Sequence, residues 1–293
     1  MMSTHLSLPD DDHMPQGTTP RVAVAFGGGG ARGIAHIGVI EALDELGIKP
    51  VAIAGSSIGA IFGAGMAAGM RGADIRAYTL ETIGNRNVVL NRLWSLGPAS
   101  MRDVVGGFRL GHFNLERILD SFLPPAIPQD FSALQIPLKI AVTDYYGQSE
   151  AILSEGDLRS AIAASAAIPG LFMPVRIHGR IMVDGGIFNP VPYEHLMEAC
   201  DIVIGVDVVG APEGDGTHPP NRIDSLFGAS QLMMQSALSL KMKLHPPHIF
   251  LRPQVNRFRV LDFLKAREIL DESEGVKDEL KRAIHALFAA TGN

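Results

Sequence analysis

Four consecutive glycines, Gly27 to Gly30, lie in "RVAVAFGGGGARGIAHIGV" between a short apolar run (21–26) and a segment with helical periodicity. Glycine loses more backbone freedom on folding than any other residue, so such a run between two regular elements needs a local purpose. Strand, glycine loop and helix in that order open a parallel α/β sheet, with loop N–H groups free of side chains at the helix start. The pattern predicts a helix over residues 32–46, where Glu41, Asp44 and Glu45 share one face, and Gly47 ends it. A second strand, "VAIA" (51–54), then leads through a turn into another helix.

Two nucleotide-binding readings of the glycines fit poorly. Gly28, Gly30 and Gly33 have G-x-G-x-x-G spacing, but the second strand ends in Ala54-Gly55-Ser56, where a dinucleotide fold needs an acidic residue. A P-loop needs Gly-Lys-Ser/Thr, and here Ala31-Arg32-Gly33 closes the loop. The charge-free run Val51 to Met70 has nearly the length of a membrane helix. Its β-branched start and its break at Gly55-Ser56-Ser57 read instead as strand, turn and helix.

With 293 residues, 46% of them hydrophobic, the chain can build a large core as one α/β domain. Further strands are expected at 138–144, 150–154, 179–186, 201–208 and 248–253, with helices at 157–167, 224–244, 262–273 and 276–290. Residues 1–20, polar and acidic, read as a disordered tail before a single domain over 21–293, of which 253–293 supplies C-terminal helices. A lone cysteine, Cys200, excludes an internal disulfide or a multi-cysteine zinc site, and a net charge of -6 argues against nucleic acid as a partner.

"GSSIG" (55–59) matches G-x-S-x-G with Ser57 at its centre, in the strand-turn-helix context that exposes a serine nucleophile. Acyl transfer also needs N–H donors for the developing oxyanion, which Gly28, Gly29 and Gly30 could supply. The serine needs a base, and "VDGG" (183–186) places Asp184 at a strand end. Five histidines follow it (His195, His218, His245, His248 and His285), leaving a Ser–His–Asp triad as the alternative, although none lies in a recognisable motif. His36 falls on the apolar face of its helix and reads as a core histidine, while His178-Gly179 marks a hairpin. Arg32 reads equally as a structural arginine and as a substrate contact. Residues 71–117, whose basic residues are all arginine, with Trp94, Phe108 and Phe113 among them, read either as a lid or lipid-facing rim or as a solvated helical insertion.

Taken in order, Gly28-Gly29-Gly30-Ala31-Arg32-Gly33, Ser57 and Asp184, with "SAAIPGLFMPV" (165–175) and "DGGIFNPVP" (184–192), resemble the patatin-like phospholipase family over residues 21–210. The resemblance implies a three-layer α/β/α fold with a mainly parallel central sheet. It also implies a serine acyl hydrolase of lipase or phospholipase A type, with a Ser57–Asp184 dyad and glycines 28–30 as oxyanion hole. Such chemistry requires Asp184 to be desolvated, since an ordinary aspartate is too weak a base near neutral pH. No cofactor or metal is expected. The expected partners are a lipid or acyl-ester substrate and, transiently, a membrane surface, in a cytoplasmic or peripheral setting. An esterase or thioesterase for soluble acyl groups, and a silent lipid- or nucleotide-binding module, are the alternatives.

Overall fold

Alternation along the first strand divides the protein into layers. In β1 (Val22–Phe26), Val22, Val24 and Phe26 face one core while Ala23 and Ala25 face another, the two-residue period of a strand buried on both sides. The computed structural model describes residues 20–95, 115–214 and 217–291; the expected N-terminal tail, apart from Pro20, lies outside them.

β1 lies between β2 (Ala52–Ser56) and β7 (Ile202–Val206). β3 (Leu138–Asp144) extends the sheet beyond β2, and β8 (Ile249–Leu251) beyond β7, all five strands being parallel. β4 (Ser149–Leu153) and β6 (Arg180–Val183) pair antiparallel with β3, and β5 (Val175–Ile177) forms a hairpin with β6. His178 at φ 49° and Gly179 at φ 79° make the turn of that hairpin, where the sequence places it. The chain steps from β1 outward through β2 to β3, then returns to add β7 and β8 on the other side. Open α/β sheets gather ligands at the carboxyl ends of their strands beside such a reversal.

On the larger face pack α1 (His36–Glu45), α2 (Ile58–Ala67), α8 (Ala266–Ser273) and α9 (Gly275–Thr291). On the other, the small side chains of Ala23, Ala25, Ala52 and Ala54 admit the turn Tyr193–Leu196, together with Leu238 of α7 (Arg222–Leu244). The remaining helices are α3 (Gly72–Thr82), α4 (Arg86–Ser95), α5 (Leu115–Phe122) and α6 (Leu158–Ser165). The architecture is therefore a three-layer α/β/α fold with a mostly parallel sheet. Residues 51–70 form strand, turn and helix, and no described helix is long and apolar enough to cross a membrane.

One expected element differs. The helix anticipated over 32–46 begins as a 3₁₀ segment, Gly30–Ala35, before α1 takes over. Here the backbone bonds outward, Ala31 N–H to the Val260 carbonyl at 2.8 Å. Gly30 adopts φ 62°, and a Cβ there would run into the Val260 carbonyl, so both conformation and space require glycine.

Arg32 fastens this segment to two distant loops. It is 3% exposed, and its Nε and Nη1 donate to the carbonyls of Val208 (3.1 Å) and Phe258 (2.9 Å). Burial lowers its pKa to about 10, which still leaves it charged at neutral pH. Arg32→Met should strand both carbonyls and cost roughly 2–4 kcal/mol in urea unfolding. Arg32→Lys, which lacks the planar fork, should recover less than half of that loss.

Candidate functional site

Ser57 stands where β2 ends and α2 begins, at φ 53° and ψ -123°, a conformation rare for any residue other than glycine. Gly59 makes the elbow feasible, since a Cβ there would collide with the Phe26 carbonyl at the end of β1. The Ser57 N–H donates to Ser165 Oγ at 2.8 Å, and that hydroxyl donates to the Ala141 carbonyl at 2.7 Å. Ser165, at the end of α6, thus ties the elbow to β3. The sequence marks this serine only as part of a longer segment and gives no sign of the role.

Ser57 Oγ donates to Asp184 Oδ2 at 2.6 Å across 127 positions of sequence. Asp184 follows β6 and is 6% exposed. Its other carboxylate oxygen accepts the Gly186 N–H at 2.8 Å, and its carbonyl accepts Thr143 Oγ1 at 2.9 Å. Among the described residues no cation pairs with it. Burial pushes its pKa up to about 6, against the opposing pull of the bonds from Ser57 and Gly186. The hydroxyl therefore meets a carboxylate more basic than a solvated aspartate.

The glycine loop passes beside this pair, a Cβ on Gly28 falling 3.2 Å from the Ser57 Cβ. Its three candidate donors are not equivalent. The Gly28 N–H is already bonded to the Pro190 carbonyl at 2.9 Å, so the expectation that it faces an oxyanion is amended. Gly29 and Gly30, at the start of the 3₁₀ segment, have no backbone acceptor for their N–H groups among the described residues. Ile58, first residue of α2, likewise lacks an acceptor within its helix. Behind the loop, His36 Nε2 donates to the Gly27 carbonyl at 2.8 Å. That ring is wholly buried between Phe26 and Phe62, and burial holds its pKa down at about 4, so it is neutral and structural.

Ser57 and Gly30 open into an apolar cavity of about 480 Å³. Its walls come from α2, from Ile75, Tyr78 and Ile83 around α3, from Val89 of α4 and from Leu115 to Phe122 of α5. The described part of 71–117 thus contributes cavity wall. The side chains of Trp94, Phe108 and Phe113 lie outside the described residues. Arg32 borders not this cavity but a separate cleft of about 810 Å³ between α7 and residues 256–262, so of its two readings the geometry favours the structural one.

Among the described residues, neither Ser57 nor Asp184 bonds to a histidine. His218 borders the other cleft, His248 Nδ1 accepts the Val203 N–H, and His195 Nε2 meets Glu150 Oε1 at 3.1 Å. Glu150, Glu194 and His195 form the one cluster of metal-ligating groups among the described residues. The ammonium of Lys241 offsets one of its two carboxylates, bonding Glu194, Asn189 Oδ1 and the Val191 carbonyl. The Asn189 N–H in turn donates to the Gly185 carbonyl at 2.9 Å, so the cluster braces the loop after Asp184.

Residues 24–197 match the family model described as patatin-like phospholipase. An uncharacterized NTE family protein of Mycobacterium tuberculosis is 37% identical over 198 residues, which cover 67% of this chain and 51% of that protein. The lysophospholipase NTE1 of Saccharomyces cerevisiae is 28% identical over 276 residues, covering 85% of this chain and 16% of that protein. The chain thus spans about half the length of its mycobacterial relative. Among solved structures, VipD from Legionella pneumophila aligns over 89% of this chain and 67% of its own, with TM-score 0.44 and 17% identity. The match to the family model over more than half its length places this chain in the patatin-like phospholipase family.

Proposed function

We propose that the protein hydrolyses fatty-acyl ester bonds of a phospholipid, lysophospholipid or neutral lipid through Ser57 and Asp184. The observation that carries this reading is the 2.6 Å contact, beside an apolar cavity that Ser57 borders, between Ser57 Oγ and a buried carboxylate with no cation partner among the described residues. In the first step Ser57 Oγ attacks the acyl carbon while its proton passes to Asp184 Oδ2. Negative charge on the acyl oxygen is met by the N–H groups of Gly29 and Gly30, assisted by the N-terminal end of α2. Collapse expels the alcohol, which takes the proton from Asp184. Water then attacks the acyl-enzyme, gives its proton to Asp184 and releases the fatty acid as Ser57 is restored.

The surface near the site suits a lipid substrate. Leu261 and Leu264 border the cavity and are 47% and 51% exposed, and Ile187 and Phe188, just after Asp184, are half exposed. From Ser225 to Leu240, α7 carries no charged residue and leaves Leu226, Leu232, Met233 and Leu240 exposed. Apolar exposure of this kind supports contact with a lipid aggregate over collection of small soluble esters.

A fluorophosphonate should attach to Ser57, and Asp184→Asn should slow the labelling at least about 100-fold, read by peptide mass spectrometry. Absence of adduct on Ser57, with and without micelles, would refute the reading. The rate constant kcat/KM on a soluble ester should rise about tenfold per pH unit below pH 6 and level off above it, following Asp184.

The same shift predicts a stability effect. The native state holds the Asp184 proton more tightly than the unfolded chain does. The associated stability is therefore present below about pH 4 and lost as pH rises through about 6. Asp184→Asn should be more stable than the parent at pH 8, by on the order of 3 kcal/mol, and the difference should shrink towards pH 4 in denaturant titrations.

A further inference from the structure

We infer that Gly65 measures the acyl chain: the site accepts about ten carbons along α2, and the absent side chain of Gly65 marks the far end. The inference rests on the hydrolase reading above and deepens it to a substrate class.

α2 starts beside Ser57 and presents Ile58, Ile61, Phe62 and Gly65 to the cavity, one stripe at helical spacing. Gly65 is eight positions beyond Ser57, which at 1.5 Å per residue places it about 12 Å down the trough. The bordering stripe on α2 stops there. On the opposite wall α3 brings in Ile75, whose Cδ1 would lie 3.4 Å from a Cβ on Gly65, so the two helices close on each other at this level. An extended hydrocarbon advances about 1.25 Å per carbon, given single bonds near 1.52 Å at tetrahedral angles. Twelve ångströms therefore take about nine or ten carbons, counted from the carbonyl at Ser57.

Packing alone does not call for glycine at this position. A glycine inside a helix is destabilising relative to alanine, and it is normally kept where a side chain would collide. At Gly59 a Cβ would strike the Phe26 carbonyl, whereas at Gly65 the nearest atoms stand at 3.4 Å or more, ordinary contact distance, and φ is not positive. What a larger side chain at 65 would occupy is the trough.

The test is equilibrium binding of saturated fatty acids from hexanoate to palmitate, below their micelle concentrations, to the Ser57→Ala protein by titration calorimetry. Affinity should tighten about fourfold per added methylene up to about ten carbons and then flatten. Adding Gly65→Leu should end the rise at least two carbons earlier and leave hexanoate unchanged, with Gly65→Ala, which the packing accommodates, shifting it in the same direction. A rise continuing evenly to palmitate, no binding at any length, or a break unmoved by both substitutions would overturn the inference. Because the readout is binding without turnover, it stands apart from the labelling of Ser57: a chain-length break without labelling rejects the hydrolase and keeps the trough.

Discussion

A carboxylate buried without a cation is the constraint on which this site depends. The protein buries two other aspartates near the ends of its strands and treats them differently. Asp144 accepts the Gly147 N–H and pairs with Arg180, and its pKa is lowered. Asp207 pairs with Arg252 at 3.0 Å and also accepts the Val209 N–H. Among the described residues Asp184 receives only a serine hydroxyl and one backbone N–H, which do not match what water would give a free carboxylate. The shortfall is what makes it basic. An arginine at this place would lower its pKa, since an adjacent cation favours the ionised form.

Much of this arrangement was legible in the sequence because its parts are local. A glycine loop after a strand, a serine between strand and helix, and an aspartate before two glycines each have a short-range signature, and parallel topology brings strand ends together. What escaped was decided by partners far along the chain. That Gly28 spends its N–H on Pro190, and that Arg32 holds Val208 and Phe258, follows from carbonyls more than 150 positions away, which no local pattern reports. Ser165 was hidden for the same reason, as a serine at a helix end reads as an ordinary polar residue until the elbow is packed against it.

The segment after residue 71 shows the opposite difficulty. Its arginines and scattered apolar residues suit a solvated insertion as well as a cover, and only the placement of α3, α4 and α5 shows that they turn Ile75, Val89 and Leu119 towards Ser57. The strands, by contrast, came out close to expectation. The 179–186 strand was shortened to Arg180–Val183 because Asp184 caps the 3₁₀ turn that follows, accepting the Gly186 N–H. The capping bond of the residue thus ends the element that carries it.

The clamp on the glycine loop also has a consequence for how the protein is made. Arg32 is synthesised early, but its partner Phe258 comes 226 residues later. At about 5–20 residues per second that interval is roughly 10–45 s, during which Ser57 and then Asp184 have left the ribosome while the loop still lacks its outer support. The loop gains its outer support only once the residues around Phe258 have been made and docked. The geometry around the glycine loop is therefore a property of the assembled fold and of no shorter stretch of it made alone.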